Sequence, residues 1–161
     1  MRKRLWIGLT ALVAAACGGE QPAPQPAASA PPAAARPMTP PSTLAASFGQ
    51  TKNVVFNIDA VRPGADGVEV LGFAFIDGAD ASNARVSVVL PTADRQWLFP
   101  ATATARPDIA TKFKNPALTL SGFSAFVPRG ALPKGQYRIG LFVERDGKQA
   151  LQYSDKIATV E

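Results

Sequence analysis

From Val54 onward the chain alternates apolar and polar residues with period two. Val54, Phe56, Ile58 and Ala60 fall on one side while Asn57 and Asp59 fall on the other, the signature of a half-buried strand. Pro63-Gly64 and Asp66-Gly67 then mark a turn. In residues 68–76 Val70, Gly72 and Ala74 share one face and Leu71, Phe73 and Phe75 the other. Both faces are apolar, which predicts a central strand. A polar loop over 77–83 precedes a third strand at 84–90, closed by Pro91. A fourth strand is predicted over 96–104, with Trp97 and Phe99 on one face and Leu98 on the other. Pro100 lacks the N–H that a ladder needs, so it predicts an edge or a bulge there.

Arg106-Pro107-Asp108-Ile109-Ala110 interrupts this rhythm. Asp108 is the expected N-cap of one helical turn packed across the end of the sandwich, with Ile109 and Phe113 four residues apart on its apolar face, and Asn115-Pro116 ends it. Strand character resumes over 120–127, with Phe123, Ala125 and Val127 in register. Tyr137, Ile139, Leu141 and Val143 then alternate strictly, followed by Asp146-Gly147 and a last strand over 150–160. The Asp-Gly pair suits a two-residue hairpin whose turn matches strand twist.

Upstream of this β pattern the chain changes character twice. Residues 1–16 carry three basic residues followed by an apolar run broken only by Gly8 and Thr10, the layout of a secretory signal peptide. The run is far shorter than the roughly 20 residues a spanning helix needs. Residues 17–48 are rich in Pro and Ala, with Gln and Ser; proline at this density forbids helix and ladder bonding, and alanine gives too little burial to offset ordering. A disordered, extended linker of about 25 residues would reach at most about 75 Å. The folded domain is assigned to residues 49–161.

About seven predicted strands spaced by turns fit an all-β, immunoglobulin-like antiparallel β-sandwich. Leu132-Pro133-Lys134-Gly135-Gln136-Tyr137 resembles the corner that opens strand F of immunoglobulin-like and fibronectin-like domains. In that family the tyrosine hydroxyl ties back to the chain upstream. Leu71-Gly72-Phe73, Arg106-Pro107-Asp108-Ile109, Ser121-Gly122-Phe123 and the 132–137 stretch, in that order, resemble small modules appended to bacterial envelope glycosyltransferases and surface proteins. The likeness covers residues 68–160 and rests on turn and core residues, so it implies fold rather than function.

Leu12-Val13-Ala14-Ala15-Ala16-Cys17 resembles the cleavage and lipidation box of bacterial lipoproteins. The resemblance implies cleavage after Ala16, a diacylglycerol thioether on Cys17, and anchorage to a lipid bilayer. Ala14 stands where that family prefers leucine, and ordinary signal peptidase acting on the three alanines is the competing reading. The solitary cysteine directly after the apolar run favours lipidation. Buried methylenes contribute about 0.8 kcal/mol each, and two chains suffice for stable attachment. Gly18 is not the aspartate that retains enterobacterial lipoproteins at the inner membrane, so the resemblance implies an exported, membrane-anchored envelope protein, on the outer membrane in a Gram-negative cell.

The formal charge of +5 suggests nucleic acid, but Arg2, Lys3 and Arg4 precede the cleavage point. From Cys17 onward fourteen Lys and Arg face twelve Asp and Glu, too balanced and scattered for phosphate neutralisation, and no nucleic-acid partner is expected. Histidine is absent, which excludes Ser-His-Asp, Cys-His and His-based metal sites. No catalytic residue, metal site or cofactor is assigned, and a non-enzymatic module is expected. Arg95, Trp97 and Phe99 are the candidate ligand surface, since aromatic faces stack on sugar rings, although a core or sheet-edge tryptophan is the plainer reading. Arg106 with Asp108 reads as a local ion pair, and Asp77, Asp80, Ser82 and Asn83 as a solvated turn without the spacing of a calcium loop. The expected role is to bind an unidentified envelope protein or assembly partner, with binding of envelope glycans as the alternative.

Overall fold

The computed structural model describes residues 40–45 and 47–161. Eight antiparallel strands form the chain order β1 (Ser42–Ala45), β2 (Val54–Gly64), β3 (Gly67–Ile76), β4 (Arg85–Pro91), β5 (Arg95–Thr104), β6 (Gly122–Pro128), β7 (Gly135–Arg145) and β8 (Lys148–Val160). A helix α1 (Pro107–Lys112) and a 3-10 turn (Pro116–Leu118) lie between β5 and β6. Among these residues no helix is long and apolar enough to cross a membrane.

The ladder runs β2-β3-β6-β5-β4-β7-β8, with β1 beside β5. Strand β5 belongs to two sheets. Residues Gln96 to Pro100 pair with β4, whereas Ala101 to Thr104 pair with β6. The first sheet is therefore β2-β3-β6 with the second half of β5; the other is β1, the first half of β5, β4, β7 and β8. This is the two-sheet order of an immunoglobulin-like sandwich in which one strand switches sheets. Pro100 sits at the switch, where its missing N–H disrupts least.

The main core lies between the sheets, built from Val70, Phe123 and Val127 on one side and Val88, Leu90, Ile139, Leu141 and Val143 on the other. All are nearly or wholly inaccessible to solvent. The periodicity of β3, β6 and β7 thus predicted the inward faces correctly. In β2 the alternation breaks, because Ile58 pairs with Gly72 and Ala60 with Leu71, leaving Asp59 as an extra residue. The bulge changes the phase, so Val61, rather than Ala60, packs against the core.

Both outer faces are partly covered. On the first sheet, α1 and the 3-10 turn place Ile109 and Leu118 over Phe73 and Phe75, so the helical turn covers the outer face of β3 rather than the end of the sandwich, which explains why β3 is apolar on two sides. Phe113 adds edge-on contacts to both phenylalanines, at 6.5 and 5.2 Å between centroids. The N-cap of α1 is Arg106, with Pro107 in the first turn; Asp108 lies inside that first turn and is not the cap expected from the sequence. Asn115 instead caps the 3-10 turn, accepting from the Ala117 N–H at 3.1 Å.

On the second sheet, Val89, Leu98, Phe142 and Leu151 form an outer cluster that Leu44, Phe48 and Tyr153 cover. The covering chain is β1, paired with β5 from Ser42↔Leu98 to Ala45↔Arg95, followed by a strap. Phe48 meets Phe142 edge-on at 5.7 Å, its carbonyl accepts from the Gln96 side-chain amide at 3.1 Å, and Thr51 donates its N–H to the Leu151 carbonyl at 2.8 Å. Strand β1 lies within the stretch that the sequence assigns to the linker.

Two predicted turns are formed as expected. The Tyr137 hydroxyl donates to the Pro133 carbonyl at 2.7 Å, closing the corner at the start of β7. Asp146 and Gly147, at φ 48° and 74°, join Arg145 to Lys148 in a two-residue hairpin.

Candidate functional site

Ala16 and Cys17, the expected cleavage and lipidation residues, lie outside the described residues. The expected ligand surface on β5 is dispersed by the fold. Phe99 is buried in the main core and Trp97 packs against it, because both point between the sheets. Arg95 is exposed, pairs with Asp94 at 2.7 Å and lies 5.6 Å from the Trp97 ring centroid. Phe99 therefore presents no ring to a ligand, and the three residues form no common platform.

The charged clusters have structural partners. Arg106 bridges Asp108 at 2.8 Å and Asp59 at 2.5 Å, tying the start of α1 to the bulge in β2. The Arg106 guanidinium holds the Asp108 carboxyl below its ordinary range. Asp80 accepts from the Ser82 hydroxyl at 2.7 Å and pairs with Arg145 at 2.6 Å. Hydrogen bonds from Ser82 and then Arg145 draw its carboxyl down to about 2. Arg145 also donates to the Asp80 carbonyl, so the 77–83 turn is pinned by a cation from β7. Among the described residues no group of three or more His, Cys, Asp and Glu is placed to hold a metal ion.

A different site emerges on the outer face of the second sheet, where the strap stops short of covering it. A hollow of about 380 Å³ is lined by Phe48 and Gln50 from the strap, Pro91, Thr92 and Gln96 around the β4-β5 turn, and Arg138 and Tyr153 from β7 and β8. Gly140 shapes the neighbouring floor: a Cβ there would lie 2.8 Å from the Tyr153 ring, so only glycine lets the ring lie down on β7. Burial pushes the Tyr153 hydroxyl above its ordinary value, with Arg138 opposing, and the group remains a proton donor at neutral pH.

Arg138 is exposed and oriented. Its Nε donates to the Ser154 carbonyl at 2.6 Å, and its guanidinium carbon lies 5.8 Å from the Tyr153 ring centroid. That carbonyl belongs to an irregular stretch of β8, where Gly140 pairs with Tyr153 but Arg138 with Ile157. Ser154 secures the bulge by donating to the Ile139 carbonyl at 2.9 Å and accepting from the Lys156 N–H at 3.1 Å. No carboxylate among the described residues pairs with Arg138, in contrast to Arg62, Arg95, Arg106, Arg129 and Arg145.

The hollow has no contiguous pattern in the sequence. Its residues come from four separate stretches and include Arg138 and Tyr153, whose spacing merely reads as the polar phase of two strands. The solvent-facing phase of strictly alternating β7 is the one available signal, and it marks a face rather than a site.

No protein-family profile matches the chain, and no curated protein or solved structure shows significant similarity to it.

Proposed function

We propose that this chain is an exported envelope lipoprotein, cleaved after Ala16 and lipidated on Cys17, whose sandwich is a non-enzymatic module that binds a protein or assembly partner. The order of segments supports this reading: export signal, lipidation box, proline-rich spacer, then a compact β domain. The observation that carries the binding role is the outer face of the second sheet. There Ile157 is 53% exposed beside Arg138, next to a hollow large enough for a ligand group. Immunoglobulin-like sheets recognise partners through such faces, edges and end loops.

A photo-crosslinking residue at Ile157 in intact cells should give a discrete adduct, while one at Thr102, exposed on the first sheet, should not. Equal yields at both positions would refute a partner on this face. Anchorage is tested separately: Cys17→Ser should abolish fatty-acid labelling and release the protein from the membrane fraction.

A second reading, binding of envelope glycans, is supported by the composition of the hollow. Phe48 and Tyr153 offer aromatic surface, and Gln50, Thr92 and Tyr153 carry the amide and hydroxyls that pair with sugar hydroxyls.

A further inference from the structure

We infer that the hollow on the second sheet is a binding site for a carboxylated sugar, of the uronic acid class, with Arg138 as the carboxylate receptor. This rests on the glycan reading and adds the charge of the ligand. Arg138 supplies the discriminating chemistry. Its Nε is committed to the Ser154 carbonyl, which fixes the guanidinium and leaves the two terminal nitrogens without an ion-pair partner among the described residues. Those two nitrogens present the fork that receives a carboxylate through parallel N–H···O bonds. The fork is held in place before any ligand arrives, so little side-chain entropy remains to be lost.

The other walls suit a ring bearing hydroxyls. Phe48 is fixed by Phe142 and by the Gln96 amide, and Tyr153 lies on Gly140, so both aromatics are preorganised surfaces. Thr92 is oriented by its hydroxyl bonds to Asp94 and to the Arg95 carbonyl, at 2.8 and 2.9 Å. The volume of about 380 Å³ falls in the small-molecule range. An acidic peptide would share the carboxylate but would leave the polar rim with few hydroxyl partners.

The test is NMR titration of the purified full chain with trigalacturonate, with a neutral trisaccharide of glucose and with a Glu-terminated tripeptide. Trigalacturonate should shift the Phe48, Arg138 and Tyr153 signals and bind about tenfold more tightly than the neutral sugar, as expected for one charge-assisted pair. Arg138→Gln should remove that tenfold preference, and Arg138→Lys should restore part of it while neutral-sugar binding persists in both. Equal binding of acidic and neutral sugars at the hollow would overturn the carboxylate assignment and leave the glycan reading standing. Binding of neither sugar would overturn both, as would a tripeptide that alone shifts these residues. Unaltered backbone spectra of Arg138→Lys guard against loss through misfolding.

Discussion

Replacing Phe48 by alanine removes the side chain that fastens the strap to the second sheet. The ring is half-buried, meets Phe142 edge-on at 5.7 Å and completes the cluster of Val89, Leu98 and Leu151. Removing a fully buried phenylalanine costs about 3–5 kcal/mol, so half burial gives about 2 kcal/mol. The lost aromatic pair is worth roughly 0.5–1.5 kcal/mol in addition, partly offset because the strap can relax into solvent. The net expectation is about 2 kcal/mol, equivalent to a melting temperature lower by about 8 °C for a domain of this size. Urea unfolding of the full chain measures it directly, and Phe48→Leu, which keeps most of the apolar area, should lose less than half as much. Amide exchange supplies a local readout: the N–H groups that pair β1 with β5 should lose protection before those between β4 and β7. A change below about 0.5 kcal/mol would be within the range of ordinary surface substitutions. It would mean that the strap merely rests on the sheet and that the folded unit gains nothing from the Phe48 contact.

Tyr137→Phe deletes only the hydroxyl bonded to Pro133 and should cost about 1 kcal/mol with an unchanged urea slope; no loss in unfolding free energy would deny the corner a stabilising role. Gly72→Ala would put a Cβ 2.1 Å from the Asn57 carbonyl oxygen on β2, and because the obstacle is backbone, a loss of about 3 kcal/mol or failure to fold is expected, measured by thermal melting; a stable variant would contradict the β2-β3 register. Acid should weaken the Asp80-Arg145 contact. The folded Asp80 carboxyl titrates at about 2, below its ordinary 3.8, so its contribution is present above 3.8 and fades as pH falls toward 2. The difference in urea midpoint between the parent and Asp80→Asn should therefore shrink on acidification, and a difference independent of pH would refute the pairing.

Much of the fold was legible because it depends on local periodicity. Phe123, Ala125 and Val127, or Tyr137 to Val143, declare an inward face by alternation alone, and the two apolar faces of β3 mark it as a central strand. The Asp146-Gly147 turn and the Tyr137 corner were readable for the same reason, since each is a property of a few adjacent residues. The bulge at Asp59 was not, because alternation continues through it in sequence while the pairing with β3 slips by one. Asp108 also misled: an acidic residue near a helix start suits the cap, yet Pro107 already occupies the first turn and puts Arg106 at the cap position.

The candidate site shows the sharper division. In sequence the aromatic residues at 97 and 99 admit both a core face and a ligand surface, and which face of β5 points inward depends on how the second sheet closes over the first. Arg138, Tyr153 and Phe48 look unremarkable, because a site made from four stretches has no local signature. By itself the sequence determined the periodicity, the turns, the corner and the β class, all short-range consequences of side-chain size and backbone freedom. Tertiary structure alone decided that β5 would switch sheets, that Leu44 and Phe48 would cover the outer face, and that Arg138, without an ion-pair partner among the described residues, would stand beside an open hollow. Those outcomes depend on contacts between residues dozens of positions apart, and no local pattern encodes which distant partner a surface will meet.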